Sequence, residues 1–365
     1  MNSNVLWLRE RFSWMGSYSG YDQICEAIDD LEPHIHSSVF RHPDQPLFKV
    51  LGLLLGYIIK TKIVNPGYNF SSNIAELNTI LSSFRHSYSL LHITYVENHL
   101  GILPKFRRYL PPCLIGTSHQ PASWWRLQHS SPEIVSSLDA LIVVAKAQVK
   151  YFSEFLPNRV YFIPHGVDID FFKPDDLSDK GNKNQPRCVF SGTWLRDLET
   201  LSSVIDKVIS FNPGIRFDII LPRSKRKNEI LYRIARHEQV SWHAGISDEQ
   251  LRRVYQQATL LLLPLLDCTA NNALLESMAS GLPIVSNNVG GLLDYTKSTF
   301  AELLPVGDVD GLAHAVLDLV DRPTELQARG EASRSFAEVN FSWEKVALQT
   351  LSLYQEVTKL GSTND

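Results

Sequence analysis

The sequence is poor in cysteine and contains no closely spaced cysteine pair. Its four cysteines lie far apart in a chain of 365 residues, and no C-x-x-C motif occurs. Structural zinc sites and disulfide-rich secreted domains need cysteines at short, repeated spacings. We therefore expect a protein of a reducing compartment without a zinc site. The four residues are Cys25, Cys113, Cys188 and Cys268.

The chain also lacks a strong net charge and a long apolar run. Its formal net charge of −4 argues against a general nucleic-acid-binding protein. The most apolar stretch, from Leu47 to Ile59, includes Lys49 and is too short to span a bilayer. We expect a buried helix there. The alternative is a helix lying on a membrane surface, with Lys60 and Lys62 at its edge.

The first residues, MNSNVLWLRERF, lack the pattern of a secretory signal. The expected location is therefore the cytoplasm. If the apolar helix is interfacial, the protein is instead peripheral on the inner face of the membrane.

The sequence does contain a regular alternation of short apolar runs and helical segments. The apolar runs are rich in β-branched residues and are typical of buried parallel strands. The segments 247–258 and 309–321 have helical spacing and open with serine or aspartate near their starts, which suits helix caps. We therefore predict an α/β architecture. The predicted strands are 5–8, 90–94, 113–117, 140–144, 160–163, 187–191, 216–221, 240–243, 260–264 and 283–286.

A polar break in the middle of the chain indicates a domain boundary. Residues 175–186, DDLSDKGNKNQP, are rich in turn formers, and a new strand starts at Arg187. The length also exceeds what one core usually supports. We expect two doubly wound domains, 1–165 and 166–342, with a ligand cleft between the carboxyl ends of their strands.

The stretch 268–291, CTANNALLESMASGLPIVSNNVGG, combines small polar residues with one carboxylate in an apolar segment. A helix is predicted from Asn271 or Asn272 to Gly281, because glycine suits a helix C-terminus. Its start follows a strand and so points into the cleft, where free N–H groups favour a phosphate. Glu276, about one turn inside, is placed to accept hydrogen bonds from a ribose diol. The stretch therefore predicts a nucleotide site.

Four segments carry a wider resemblance, and they occur in a fixed order. They are YFIPHGVDIDFFKP (161–174), ISDEQLRRVYQQATLLLLP (246–264), LLESMASGLPIVSNNVGG (274–291) and FSWEKVALQTLSLYQEV (341–357). Together they resemble the family-4 retaining glycosyltransferases of the GT-B fold. The resemblance implies two Rossmann-like domains facing across a cleft, with a last helix (343–365) that crosses back to the first domain. It implies transfer of a sugar from a UDP- or GDP-linked donor to a hydroxyl of a glycan, lipid or other acceptor.

The resemblance also assigns the donor site. Glu276 matches the second glutamate of the family's pair, which holds the nucleotide ribose. The first glutamate falls on Cys268, and the adjacent Asp267 is a carboxylate one position away. The residues at the start of the predicted helix match the backbone that lies against the sugar and diphosphate. The implied donor-binding residues are Gly16, Asp267, Asn271, Asn272, Ala273, Leu274 and Glu276.

The diphosphate of such a donor needs positive charge in the transition state. The family has an arginine and a lysine after the first strand of the second domain, whereas FSGTWLRDLETL here offers Arg196 as its cation. Arg196 acts alone or together with the basic loop PRSKRK, for which a solvated loop is the alternative. The cations of that loop are Arg223, Lys225, Arg226 and Lys227.

In the first domain, His119 in CLIGTSHQP matches the family's active-site histidine and is expected to face the donor sugar. Gly16 lies in WMGSYSG, which resembles the glycine-rich first loop that reaches the phosphate or acceptor. An ordinary turn is the alternative for that loop. Glu97, Asn98 and His99 are candidates for the acceptor cleft, with a polar loop as the alternative.

Neither a metal nor another cofactor is expected. Of two Asp-x-Asp pairs, 168–170 lies in the hinge and 308–310 starts a helix, where aspartate caps N–H groups. The leaving diphosphate is expected to take the acceptor's proton in a front-face displacement. The expected partners are the nucleotide-sugar donor and a glycan or lipid-linked acceptor. The alternatives are a GT-B sugar-nucleotide epimerase or hydrolase, and a catalytically silent partner subunit.

Overall fold

The chain folds into two compact units. Unit 1 comprises residues 1–15, 20–165 and 343–365, and unit 2 comprises residues 16–19 and 166–342. Residues 176–184 of the predicted polar linker lie outside the part of the chain that the structure describes. The computed structural model describes residues 4–12, 15–32, 36–41, 46–59, 67–127, 132–175, 185–226 and 229–361.

Unit 1 is built on a parallel sheet of six strands, in the order β2-β1-β3-β4-β5-β6. All residues of β1, β3, β4 and β5 are buried, as expected for apolar strands covered on both faces. The strands are β1 (Val5–Arg9), β2 (His36–Phe40), β3 (Leu90–Ile93), β4 (Cys113–Ser118), β5 (Ala140–Val143) and β6 (Val160–Phe162).

Helices connect these strands. They are α1 (Gln23–Leu31), α2 (Pro46–Ile59), α3 (Phe70–Arg85), α4 (Ala122–Leu127) and α5 (Lys146–Phe152), together with 3₁₀ helices at Val96–Asn98, Leu103–Tyr109 and Pro132–Ser137.

Unit 2 has a second six-stranded parallel sheet, in the order β12-β11-β10-β7-β8-β9. Both sheets are therefore of the predicted α/β type. The strands are β7 (Arg187–Ser191), β8 (Arg216–Ile220), β9 (Val240–His243), β10 (Leu260–Leu263), β11 (Ile284–Asn287) and β12 (Ala301–Leu304). The helices are α6 (Leu198–Phe211), α7 (Glu229–Ile234), α8 (Asp248–Gln257), α9 (Asn272–Ala279), α10 (Leu292–Tyr295), α11 (Val309–Val320) and α12 (Pro323–Phe341), with a 3₁₀ helix at Arg223–Lys225.

The ten predicted strands all form, within one or two residues of their predicted bounds. Two further strands, β2 and β12, were missed. Each lies at an edge of its sheet, with a neighbour on one side. Edge strands are less fully enclosed and so tolerate polar residues, as in HSSVF and AELL. The apolar runs that identify central strands are therefore absent from these two segments.

The last helix, α13 (Trp343–Gly361), belongs to unit 1, as the resemblance implied. It is fixed by a buried hydrogen-bond network. The Tyr354 hydroxyl accepts from Trp7 Nε1 at 3.2 Å and lies 2.6 Å from His92 Nδ1. His92 Nε2 lies 2.8 Å from Thr117 Oγ1. Because burial lowers the pKa of His92 to about 3, this network contains a neutral imidazole at neutral pH.

The helix expected at Leu47–Ile59 forms as α2, but the prediction that it is buried is wrong. Gly52 packs against α3, and its carbonyl accepts from Asn73 Nδ2 at 3.2 Å. The opposite side is exposed, with Tyr57 at 86%. An apolar pattern indicates that a helix packs against other segments, but it does not show how many segments pack against it. The exposed side chains are Val50, Leu51, Leu53, Leu54, Tyr57 and Ile58.

Two related expectations concern membranes. Lys60 and Lys62, proposed at the edge of an interfacial helix, lie outside the described residues. Within the ranges given above, no helix combines the length and apolar character needed to cross a bilayer.

Candidate functional site

The strand order of unit 2 reverses between β7 and β10, where ligands bind in open parallel sheets. The segments after these two strands pair with each other. Asp197 N donates to Pro264 O at 3.0 Å, and Arg196 and Leu265 form an isolated antiparallel bridge. Arg196 and the chain leading into α9 therefore lie together at the carboxyl edge of the sheet.

The helix α9 begins as predicted, with Asn271 as its N-cap. The Asn271 side-chain oxygen accepts from Leu274 N at 3.3 Å and from Arg196 Nη2 at 3.2 Å. Asn272 and Ala273 form the first turn, whose N–H groups have no acceptor within a helix. The Arg196 guanidinium and the positive end of the α9 dipole thus lie next to each other, an arrangement that favours binding of an anion.

Arg196 is held in place by backbone carbonyls. Its Nε donates to Ser191 O and its Nη1 to Trp194 O, both at 2.9 Å. Gly192 has a φ of +93°, and a Cβ there would lie 2.6 Å from Arg196 Nη2. Burial lowers the pKa of Arg196 to about 10, so the side chain stays charged at neutral pH. The sequence around Arg196 therefore builds a fixed cation.

Glu276 is a buried carboxylate with a hydrogen bond to each oxygen. Its exposed fraction is 6%. Tyr255 donates to Oε2 at 2.9 Å, and Ser19 Oγ donates to Oε1 at 2.6 Å. Burial raises the pKa of Glu276 to about 7. The two hydrogen bonds oppose this shift, Asp248 adds to it, and Arg196 opposes it.

Gly16 lies in the loop 16–19, which packs on unit 2 rather than on the strand before it. Ser17 N donates to Asp248 Oδ2 at 2.7 Å. A Cβ at Gly16 would lie 1.7 Å from Asp248 Oδ1, so this approach requires glycine. Tyr18 stacks on Phe171 with ring centroids 3.7 Å apart.

The position of the family's first glutamate is a buried cysteine. Cys268 is 5% exposed, and its carbonyl accepts from Gly291 N at 2.9 Å. Asp267 Oδ1 accepts from Cys268 N at 2.7 Å. Gly290 has a φ of +55°, and a Cβ there would lie 2.1 Å from Cys268 O. The glycine pair thus allows the chain to pass closely over residues 267 and 268.

His119 lies in unit 1, directly after β4. Its Nε2 is 2.9 Å from Thr94 O, and its ring stacks on Tyr95 with centroids 4.1 Å apart. Burial lowers the pKa of His119 to about 3, and His165 lowers it further. The imidazole is therefore neutral at neutral pH. Arg196 belongs to unit 2, so the action of both residues on one donor remains a prediction.

The three acceptor candidates follow β3 in a 3₁₀ helix. Glu97 Oε1 accepts from His119 N at 2.6 Å, so this carboxylate fixes the histidine's loop. Asn98 Nδ2 donates to Glu10 Oε2 at 2.9 Å. His99 has no exposed surface. These buried side chains therefore stabilise the segments at the carboxyl edge of the sheet through internal contacts.

The basic loop and the Asp-x-Asp pairs have structural contacts. Arg226 donates twice to the Leu221 carbonyl, Arg223 and Lys225 are exposed, and Lys227 lies outside the described residues. Asp308 caps α11 through Gly311 N at 2.8 Å, as predicted. Over the ranges that the structure describes, no group of three or more metal-ligating side chains occurs.

All four cysteines are buried and form no disulfide. Sequence reasoning missed three residues of this region, which are Ser19, Tyr255 and Asp248. Tyr255 was the easiest of them to predict, because a tyrosine on the buried face of an amphipathic helix needs a hydrogen-bond partner. The hydrogen bonds from Ser17 N to Asp248 and from Ser19 to Glu276 join positions more than 230 residues apart, and no local pattern marks them.

Comparison with known families matches residues 185–322 to the family described as glycosyl transferases group 1. The matched region contains Arg196, the whole of α9 and Glu276. The candidate site described above in unit 2 therefore lies within this domain, apart from the loop 16–19.

Two curated relatives illustrate the similarity. An MMP α-(1→4)-mannosyltransferase of Mycolicibacterium hassiacum is 24% identical over 67% of this chain and 65% of its own length. A D-inositol 3-phosphate glycosyltransferase of Rhodococcus erythropolis is 25% identical over 74% of this chain and 68% of its own length. The matched part of the chain thus spans about two thirds of each relative.

Solved structures extend the likeness to nearly the whole chain. The sucrose-phosphate synthase of Thermosynechococcus elongatus has a TM-score of 0.74 at 18% identity, covering 98% of this chain and 100% of that chain. Anabaena HepE, solved with UDP and glucose, has a TM-score of 0.71 at 12% identity, covering 97% and 100%. Residues 185–322 thus match a glycosyl transferases group 1 domain, and the chain has the two-sheet α/β fold of GT-B glycosyltransferases, as predicted.

Proposed function

We propose that this chain is a retaining, family-4 glycosyltransferase that moves a sugar from a nucleotide-sugar donor to an acceptor hydroxyl. The observation that carries the proposal is the arrangement on α9. A fixed cation, Arg196, lies at the helix start, and a buried carboxylate, Glu276, lies one turn inside. A diphosphate needs a cation and N–H donors, and a ribose diol needs a hydrogen-bond acceptor, so one helix offers groups for both parts of a nucleotide.

Each residue has a distinct role in this proposal. The first turn of α9 and Arg196 bind the diphosphate. Glu276 accepts hydrogen bonds from the ribose hydroxyls. Asp267 and Cys268 lie on the sugar side, where the family has its first glutamate. His119, a neutral imidazole, positions the sugar. The donor is UDP- or GDP-linked, since one relative is named GDP-mannose-dependent and HepE was solved with UDP-glucose.

The transfer follows from these charges. As the bond between the sugar and the diphosphate breaks, negative charge grows on the leaving oxygen. Arg196 and the helix dipole stabilise that charge because they are already in place. The leaving oxygen takes the proton of the acceptor hydroxyl, which attacks from the same face of the sugar.

The enzyme works without a metal ion in this proposal, because protein groups supply the positive charge at the diphosphate. Transfer should therefore continue in the presence of EDTA. Loss of transfer in EDTA, with recovery on adding Mn²⁺ or Mg²⁺, would contradict the proposed role of Arg196.

The nucleotide site is tested by replacing its carboxylate. Glu276→Ala should weaken nucleoside diphosphate binding by about 1.5–3 kcal/mol, the scale of a hydrogen bond to a charged group. Calorimetric titration measures this. Glu302→Ala is the control, since Glu302 is a carboxylate of the same unit that pairs with Arg329 on the surface. Wild-type affinity in a folded Glu276→Ala variant would contradict the proposal.

The acceptor is a hydroxyl of a glycan or of a lipid-linked molecule, and a membrane contact fits the second class. The apolar side of α2 is exposed, and α2 packs on α3, which in turn contacts the 3₁₀ helix 103–109. The exposed charged side chains described on these three elements are cationic, namely Arg85, Lys105 and Arg108. Apolar side chains beside cations favour an anionic lipid surface.

Vesicle sedimentation tests the membrane contact. The protein should sediment with anionic vesicles at low salt and less with zwitterionic ones. The double change Leu53→Ser and Leu54→Ser should release it. Leu348→Ser is the control, because Leu348 is exposed to a similar extent on α13. Equal sedimentation of the wild type and the double variant would remove α2 from the proposal.

A further inference from the structure

We propose that the loop 16–19 occupies part of the nucleotide's place in the donor-free protein, with the Ser19 hydroxyl bound where a ribose hydroxyl would bind. The donor must then displace Ser19 before it reaches Glu276. This inference rests on the proposed role of Glu276 as the ribose ligand. It adds an internal competitor that sets the apparent affinity for the donor.

The first observation is the state of the carboxylate. A ribose diol offers two hydroxyl donors, and the two Glu276 oxygens already accept from Tyr255 and Ser19. Tyr255 is fully buried, so it reaches Oε2 from the core. Ser19 instead belongs to a loop whose Ser17 and Tyr18 are exposed. Of the two partners of Glu276, Ser19 is therefore the one that an incoming ligand can displace without disturbing the core.

The second observation is that the loop is anchored at consecutive residues. Ser17 N donates to Asp248 Oδ2, and the absence of a side chain at Gly16 allows that approach. Tyr18 lies flat on Phe171, with 3° between the ring planes. Phe171 also has a cationic partner, because the Arg252 guanidinium lies 4.8 Å from the centroid of the Phe171 ring.

We call the loop docked when these contacts are formed and undocked when they are broken. The strength of the contacts sets the fraction of molecules in which the loop is docked. A ligand that binds only the undocked form has an apparent dissociation constant equal to the intrinsic one divided by the undocked fraction. Weakening the docked form therefore tightens nucleotide binding. The higher affinity should result from faster association of the nucleotide, because the nucleotide complex itself is unchanged.

Two variants release the loop in different ways. Ser19→Ala removes the hydroxyl on Glu276, and Tyr18→Ala removes the stack on Phe171 without touching the carboxylate. Both side chains lie in an exposed or partly exposed loop, and thermal melting verifies that each variant is folded. The matched control is Ser210→Ala, an exposed serine of α6 in the same unit.

The measurement is calorimetric titration and stopped-flow binding of UDP and of GDP to the full-length protein. Both loop variants should bind the preferred nucleotide about three- to tenfold more tightly, through faster association. Weaker binding by Ser19→Ala would mean that Ser19 contacts the nucleotide, and unchanged binding would mean that the loop does not compete. Either result overturns the inference.

The same titration separates this inference from the proposed function. If Glu276→Ala leaves nucleotide affinity unchanged, the ribose role fails and the inference fails with it. If Glu276→Ala weakens binding while Ser19→Ala and Tyr18→Ala match the wild type, the ribose role stands and the internal competitor is excluded.

Discussion

At the scale of single residues, burial shifts the pKa values of Glu276 and Arg196 by similar amounts, each toward the neutral form, but from very different ordinary values. The pKa of Arg196 falls to about 10 and that of Glu276 rises to about 7. Arg196 therefore keeps its charge near neutral pH, whereas Glu276 changes its charge there. The cation proposed for the diphosphate is therefore permanent, whereas the carboxylate proposed for the ribose is present in both protonation states near neutral pH.

The raised pKa of Glu276 predicts a stability that falls as pH rises. The folded protein holds this proton up to about pH 7 and the unfolded chain loses it near 4.5, so the folded state binds more protons in that window. The cost of ionisation grows to about 3 kcal/mol above it. Glu276→Gln removes that cost. Its unfolding free energy, measured by urea titration, should rise relative to wild type between about pH 5 and about pH 8. A pH-independent difference would contradict this.

Gly192→Ala should displace Arg196. The glycine has a φ of +93°, and a Cβ would meet Arg196 Nη2. Gly307→Ala is the matched control, because Gly307 has a φ of +79° with nothing within 4 Å of its Cβ. Both variants should lose about 1–2 kcal/mol of stability through backbone strain. Only Gly192→Ala should weaken nucleoside diphosphate binding in a calorimetric titration. Equal binding by the two variants would mean that Arg196 adapts freely.

At the scale of elements, the start of α9 and the interior of α13 are fixed by side chains from distant segments. Asn271 caps α9 and also receives Arg196 from the β7 side of the sheet. Tyr354 of α13 joins Trp7 of β1 and His92 of β3. In both cases one polar side chain bonds two partners, so its loss removes both hydrogen bonds at once.

Tyr354→Phe should therefore destabilise unit 1. Loss of the hydroxyl leaves Trp7 Nε1 and His92 Nδ1 without this partner in the core, at a cost of about 1–3 kcal/mol. Tyr161→Phe is the control, since the Tyr161 hydroxyl donates to Glu356 of the same helix at an exposed site. That change should stay within about 0.5 kcal/mol. Chemical unfolding of both variants decides, and equal losses would contradict the role of the buried network.

At the scale of the whole molecule, Arg196 and His119 are expected to have separate roles in the transfer. Arg196→Ala should lower turnover by on the order of a hundredfold, the effect of losing one preorganised electrostatic donor. It should also weaken diphosphate binding. His119→Ala should lower turnover while the nucleoside diphosphate binds as in wild type, because a neutral imidazole acts on the sugar. Titration of both variants with the diphosphate and with the intact donor provides the test. Loss of diphosphate binding in His119→Ala alone would reverse the two roles.

The sequence by itself determined the central strands, the start of α9 and the α/β fold class. Central strands of a parallel sheet are buried on both faces, so β10 reads as an unbroken apolar run. The N-cap Asn271 and the terminal Gly281 act on adjacent residues, and such local rules can be read directly. The motifs of the donor region are also continuous in the chain. For these features the relevant interactions lie within a few residues of one another.

Only the tertiary structure decided how deeply each apolar or polar group is buried. It left one side of α2 exposed, added the edge strands β2 and β12, and brought Ser19 and Tyr255 to Glu276. The pKa of Glu276 near 7 follows from that burial, not from its neighbours in sequence. The burial of a side chain depends on which distant segments pack against it. A periodic pattern in the sequence indicates that an apolar face packs against another segment, but it does not identify that segment.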